Sequence, residues 1–293
     1  MDKIKGTGVA LVTPFLADGA IDFNGLTNLV NHVIDGGLSY LVVLGTTGET
    51  ATLSVEEKDQ VLVHVKEVNN GRLPVVIGIG GNNTAAIVEE FERVDLTGVD
   101  AILSASPYYN KPTQEGIYQH YKLLSEHSPL PLILYNVPGR TASNMTAETT
   151  LRLAHDFENI VAMKEASGDL SQVMEILKEK PADFLLISGE DALNFPIITC
   201  GGAGVISVLA NSQPKLTADV VNFSLKSENE KARELHYKSL DFINLLFAEG
   251  NPAGVKAALK LQGICGDEVR MPLMKASEKL TEKLAEELEV ILA

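Results

Sequence analysis

The chain has 293 residues, of which 45% are hydrophobic and 22% charged, with a formal net charge of −15 and a predicted pI near 4.8. That composition is of a soluble globular protein with a sizeable core, as one large domain or two ordinary ones. The acidic balance argues against nucleic acid and anionic membranes as partners, because both need clustered cationic side chains.

Strand-like and helix-like segments alternate through most of the chain, the rhythm of parallel βα units. The first strand is read at Gly8–Val12 and closes on Thr13-Pro14. A helix follows with Asp22 as N-cap, an apolar face of Phe23, Leu26, Val30 and Val33, and a stop at Gly36-Gly37. The second strand, Tyr40–Leu44, runs into Gly45-Thr46-Thr47-Gly48-Glu49, and Ser54 with Glu57 has capping-box spacing for the next helix. Strand three is Pro74–Ile79, followed by a helix through Ile87 and Phe91. Strand four, Asp100–Leu103, leads into Pro107-Tyr108-Tyr109-Asn110 and a helix near Gly116–Ser125. Strand five ends in Tyr135-Asn136-Val137-Pro138-Gly139-Arg140, and a helix near Ala147–His155 connects it to strand six, which ends in Lys164-Glu165-Ala166. Strands seven and eight are Phe184–Ile187 and Gly204–Val208.

Eight strands, each preceding a helix and each too apolar to leave a face in water, predict an α/β fold, a closed (β/α)8 TIM barrel. A doubly wound sheet is the competitor, but Gly78-Ile79-Gly80-Gly81 lacks the third spaced glycine of a dinucleotide site. From about Gln213 the strand signal disappears. Ser227 and Glu230 have capping-box spacing for a helix carrying Leu235, Phe242 and Leu246, and Val255–Leu261 and Ser277–Leu292 read as further helices. The expected division is a catalytic barrel over 1–212 and a C-terminal helical appendage over 213–293. The two cysteines, Cys200 and Cys265, form neither a disulfide framework nor a zinc-ligand pair, and Cys200 is expected to pack as a small apolar residue. With no signal-peptide pattern and no apolar run of membrane-spanning length, a cytoplasmic setting is expected.

In such a barrel the chemistry lies at the C-terminal ends of the strands, where Thr46, Thr47, Tyr108, Tyr109, Tyr135, Arg140 and Lys164 fall. Strand alternation puts Ile160, Ala162 and Lys164 on one face, so the amine stands among apolar neighbours. An ammonium there pairs, escapes to water, or loses its proton and becomes a nucleophile. A neutral amine attacks a carbonyl to give an imine, and the protonated imine makes the neighbouring carbon accessible as an enamine. Hydroxyls such as Tyr135 and Thr46 carry protons, and backbone amides around Thr46-Thr47-Gly48 offer a nest for a carboxylate. This chemistry reaches an imine-forming lyase or aldolase acting on a small oxo acid. The plainer readings are a strand-ending turn for Thr46-Thr47-Gly48, interface aromatics for Tyr108 and Tyr109, and a solvated loop residue for Arg140. His32, His64 and His120 sit on predicted helices in structural roles, and no metal-ligand spacing, Ser/His/Asp arrangement or P-loop appears. No cofactor and no metal are expected.

Gly45-Thr46-Thr47-Gly48-Glu49, Tyr108-Tyr109-Asn110, Tyr135-Asn136-Val137-Pro138-Gly139-Arg140-Thr141 and Lys164-Glu165-Ala166 resemble the dihydrodipicolinate synthase family. Several of these motifs are shared with sialic-acid lyase and other pyruvate-dependent class I aldolases; the arginine is the more specific sign for the synthase. The resemblance implies that Lys164 forms the imine with pyruvate and that its enamine attacks L-aspartate 4-semialdehyde, on the way to diaminopimelate and lysine. It implies Tyr135 as proton donor and acceptor in a relay with Thr46 and Tyr109, the last reaching in from a neighbouring subunit of a homotetramer built as a dimer of dimers. It further implies Thr47 and Ile206 as pyruvate contacts, with Gly189 nearby, and Arg140 as the clamp on the semialdehyde carboxylate. Lysine-inhibited relatives carry two histidines and a glutamate where this chain has Val55, Lys58 and Ala86, although Asn82 and Tyr108 are retained. Weak or absent feedback by lysine is therefore expected. The alternatives are another pyruvate aldolase or lyase, such as sialic-acid lyase, and a non-catalytic barrel that binds a small anion.

Overall fold

In a computed structural model that describes residues 2–292, eight parallel strands among those residues close into a barrel in sequence order. They are β1 (Gly6–Ala10), β2 (Tyr40–Val43), β3 (Val75–Gly78), β4 (Ala101–Ala105), β5 (Leu132–Asn136), β6 (Ile160–Glu165), β7 (Leu185–Ser188) and β8 (Gly204–Ser207). The first strand begins earlier than the apolar run suggested, because Gly6 and Gly8 pair with Gly204 and Ile206 of β8 to close the barrel. Gly8 also clears the lumen for Tyr40: a Cβ there would lie 2.2 Å from the Tyr40 ring. That ring is fully buried, and its hydroxyl donates to the Val205 carbonyl at 3.0 Å.

An inner cluster fills the lumen, including Tyr40, Val76, Leu103, Ile133, Ile187 and Ile206, and a larger outer cluster joins the strands to the helices. The alternation expected along β6 fails at its start. The pairing of β5 with β6 shifts register between Leu132 and Ile133, so Ile160 joins the outer cluster while Val161 and Ala162 both belong to the inner one. A bulge of this kind absorbs one residue and restores the alternation beyond it. Lys164 therefore keeps the inward face expected for it.

The outer ring consists of α1 (Phe23–Asp35), α2 (Val55–Asn69), α3 (Thr84–Arg93), α4 (Gln114–His127), a one-turn α5 (Pro138–Thr141), α6 (Ala147–Asp156), α7 (Leu170–Glu179) and α8 (Asn194–Thr199). Asp22 caps α1 through the Gly25 amide, and Ser54 with Glu57 forms the capping box of α2. Cys200, expected inside, is exposed, because it caps the C-terminal end of α8 just before the Gly201-Gly202 turn.

α9 (Pro214–Leu225) packs on β1, β8 and α8 and supplies the helix that follows the last strand. Because closing the ring needs that helix, the barrel extends past the boundary drawn at 212. The remainder is α10 (Asn229–Phe247), α11 (Ala253–Leu261) and α12 (Glu278–Leu292), which pack on one another. Ser227 does not open α10 as its spacing suggested. It takes a left-handed φ of 61°, and its amide and that of Glu228 donate to Ser224 and Phe223 carbonyls. Those bonds terminate α9, so the residue serves the preceding helix. Among the described residues, no helix is long and apolar enough to cross a membrane.

Candidate active site

Lys164 stands at the C-terminal end of β6, in register with Tyr135 of β5 and Ile187 of β7. It is 5% exposed, and its Nζ lies 4.3 Å from the centroid of the Tyr135 ring. Tyr135, Ile187 and Ile206 belong to the lumen cluster, so the amine emerges at the top of an apolar plug. Gly189, just beyond β7, is shaped by this lysine: a Cβ there would sit 2.8 Å from Lys164 Cε and 2.9 Å from Ala166 Cβ. Only a residue without a side chain leaves the stem its path. The following residue, Glu190, feels the charge of the amine; burial and then Asp191 push its carboxyl up, and Lys164 opposes them.

On the opposite face of the same strand ends lies a buried polar network. Glu165 accepts from Asn136 Nδ2 (3.1 Å), the Ser167 amide (2.6 Å) and Gln172 Nε2 (2.9 Å). Asn136 Nδ2 also donates to Asn144 Oδ1 at 2.7 Å. Such donors satisfy a carboxylate without a cation. Asn136 follows Tyr135 and Glu165 follows Lys164, so the network fixes β5 and β6 where those two side chains leave them.

A cavity of about 630 Å³ opens at the mouth, and its walls include Thr46, Tyr135 and Arg140. Arg140 is exposed on α5, whose Pro138 occupies the first turn. Thr46 is exposed and Thr47 buried in a short turn between left-handed Leu44 and Glu49. The amides of Gly48 and Glu49 close that turn on the carbonyls of Gly45 and Thr46. The anion nest expected from this loop is accordingly narrower than the sequence suggested, since those two amides are already used.

The structure thus brings Tyr135 and Gly189 against the Lys164 side chain, places Ile206 in the lumen cluster below, and sets Thr46 and Arg140 on the cavity wall with Tyr135, the residue that joins the lysine to the cavity. Thr47 is buried beside this wall rather than lining it, and Tyr109 is not brought in at all: it is 88% exposed, with φ of 70°. Val55, Lys58, Ala86, Asn82 and Tyr108 line the outer part of the same cavity. Among the described residues, no group of three or more His, Cys, Asp or Glu side chains is placed to hold a metal ion.

Sequence reasoning missed the C-terminal contribution. Asn251, Pro272 and Leu273 line the cavity, and Asn251 Nδ2 donates to Thr47 Oγ1 at 2.9 Å. Lys256 of α11 donates to Glu49 Oε1 at 2.5 Å and to the Glu268 carbonyl at 2.7 Å, and the Arg270 amide donates to Glu49 Oε2 at 2.9 Å. Burial pushes the Lys256 amine down and Glu49 offsets part of that. Arg270 also holds Glu57 of α2 with a bond from Nη1 to Oε2 at 2.7 Å, which brings that carboxyl down to about 2. Locally, Gly250-Asn251-Pro252 carries only the signature of a break between helices.

A lysine among apolar side chains at a barrel mouth, faced by a phenol and overlooked by an arginine, is the arrangement of an imine-forming enzyme. The family model described as "Dihydrodipicolinate synthetase family" matches residues 3–291. The chain is 53% identical over 284 residues to the 4-hydroxy-tetrahydrodipicolinate synthase of Flavobacterium psychrophilum, covering 97% of each chain. It is 50% identical over 282 residues to that of Phocaeicola vulgatus, covering 96% of this chain and 95% of the relative. The chloride-inhibited dihydrodipicolinate synthase of Acinetobacter baumannii, solved in complex with pyruvate, superposes with a TM-score of 0.95 at 40% identity, covering 98% of this chain and 99% of that one. Fold, strand-end residues and full-length similarity agree, and the chain belongs to the dihydrodipicolinate synthetase family.

Proposed function

We infer that this chain condenses pyruvate with L-aspartate 4-semialdehyde to give 4-hydroxy-tetrahydrodipicolinate, in the route to diaminopimelate and lysine. The observation that carries the reading is the buried Lys164 amine against the Tyr135 ring, which in turn lines the cavity that Arg140 shares. The amine adds to the C2 carbonyl of pyruvate, and the carbinolamine expels water to leave an imine. Loss of a methyl proton gives the enamine, whose carbon attacks the aldehyde. The amino group of the second substrate then adds to the imine carbon and displaces Lys164, which closes the ring and returns the free amine. Tyr135 moves the protons of carbinolamine formation and breakdown, working with Thr46. Thr47 and Ile206 contact pyruvate, and Gly189 leaves the space in which the imine forms.

The relay needs a third hydroxyl, and Tyr109 supplies it from a neighbouring copy in the homotetramer, a dimer of dimers. Its 88% exposure in the single chain favours this reading, since a ring so exposed is available to another subunit. The substrates are small soluble acids, and the setting is cytoplasmic.

Turnover of the two substrates, read through a coupled reductase, tests the reaction, and borohydride trapping of pyruvate tests the imine. No turnover, with pyruvate still trapped on Lys164, would point to a different aldehyde. Arg140 is the residue that chooses it, because a planar guanidinium binds a carboxylate through paired hydrogen bonds. Arg140→Ala is expected to lower kcat/KM for the semialdehyde by roughly 10²-fold, the effect of losing a charge-assisted pair of about 1.5–3 kcal/mol together with substrate orientation. Pyruvate trapping should survive the change; an unaltered semialdehyde kcat/KM would remove Arg140 from its role.

Feedback by lysine should be weak or absent. The cavity presents Val55, Lys58 and Ala86 to an effector, and the nearby carboxylates of Asp59 and Glu90 are already paired with Arg93, so a cationic amino acid gains a second cation and no free carboxylate from this group. Half-maximal inhibition at sub-millimolar lysine would contradict this.

A further inference from the structure

Asn251 comes from the break between α10 and α11, far from the barrel strands in sequence, yet it lines the cavity with Thr46, Tyr135 and Arg140. It is 7% exposed, and its Nδ2 donates to Thr47 Oγ1 at 2.9 Å. Its Oδ1 is buried and without a hydrogen-bond partner among the described residues, so the bond to Thr47 is what orients the amide. A buried amide oxygen left unpaired is costly and uncommon in a native interior. Its retention beside the substrate cavity calls for a reason beyond packing.

That reason follows from hydroxyl chemistry. A threonine hydroxyl has one proton to donate and two lone pairs to accept with. The Asn251 amide fills a lone pair of Thr47, and no hydrogen bond among the described residues takes the Thr47 proton. A hydroxyl arranged in this way is a donor waiting for an acceptor, which a carboxylate supplies. The Lys256–Glu49 pair then keeps the Asn251 segment in register with the Thr47 turn, because it joins the same two pieces of chain just beyond them.

We propose that Asn251 is a positioning residue for pyruvate, holding the Thr47 hydroxyl so that its proton is presented to the substrate carboxylate. The proposal rests on the reading of Thr47 as a pyruvate contact. It makes the C-terminal helical region part of the substrate site rather than an appendage to it.

The test is steady-state kinetics in pyruvate with the full-length chain, alongside borohydride trapping and melting temperature. Asn251→Ala is expected to raise the pyruvate KM roughly five- to twentyfold, the loss of one hydrogen bond to a charged group, with kcat changed about twofold or less. Asn251→Asp keeps the shape but accepts the Thr47 proton and faces an anion, so it should raise the pyruvate KM further than Asn251→Ala. A purely structural role ranks these variants the other way, because the isosteric residue would then be the milder. In a Thr47→Val background, Asn251→Ala should add little. An unchanged pyruvate KM in Asn251→Ala, a milder Asn251→Asp, or full additivity with Thr47→Val would each overturn the inference. Should Asn251→Ala not fold, Asn251→Asp against wild type carries the same test. If wild type itself traps no pyruvate on Lys164, the proposed reaction falls and takes this inference with it; trapping without any Asn251 effect overturns the inference alone.

Discussion

Lys164→Ala is expected to lower kcat/KM by roughly 10⁴-fold or more, the scale on which loss of a covalent nucleophile is felt, and to abolish trapping of pyruvate by borohydride. The lysine is buried against the Tyr135 ring, and Gly189 has given up its side chain to the lysine stem. Lys164→Arg sharpens the result. A guanidinium retains the positive charge but forms no imine, so it should be as inactive as alanine if the nucleophile is what matters. Activity of the arginine variant within about tenfold of wild type would mean that the site uses a cation rather than an amine. The binding-only barrel would be favoured instead if neither variant changed pyruvate affinity and wild type never turned over.

The largest effect on stability is expected away from the lysine, at Lys256. This side chain and that of Glu49 are both withdrawn from water, and the ammonium also lies 4.2 Å from the Phe15 ring centroid. Removing one partner of a buried pair strands the other charge, at a cost of about 3–5 kcal/mol. Lys256→Met should therefore lower the melting temperature by roughly 5–15 °C. Glu49 sits at the end of the Thr46-Thr47-Gly48 turn, so the surviving folded enzyme should also bind pyruvate less well. Replacing both charges, as Lys256→Met with Glu49→Gln, should recover much of the stability, because no buried charge is then left alone. A single Lys256→Met variant that melts within a degree or two of wild type would show that the pair contributes little.

The sequence announced the barrel because each of its strands is an apolar run that ends in a recognisable turn, and because caps such as Ser54 with Glu57 are local chemistry. Departures arose wherever something outside the residue's own pattern decided its place, whether a partner strand or the end of a helix. Ile160 was placed by alternation, which has no knowledge of the bulge that the β5 register imposes on β6. Ser227 carries capping-box spacing, yet the end of α9 claims it first. Cys200 is a residue type that usually packs inside, and the exposed end of α8 overrides that tendency.

The candidate site divides along the same line. The sequence by itself determined the amine, phenol and guanidinium of Lys164, Tyr135 and Arg140, since strand-end position and side-chain chemistry suffice to single them out. Only the tertiary structure decided that Gly189 yields its space to a lysine on the neighbouring strand. It alone joined Asn251 to Thr47 across 204 positions and Lys256 to Glu49 across 207. Periodicity reports which face of one element is apolar, whereas these pairings exist only once the barrel has closed and the last helices have folded back over its mouth.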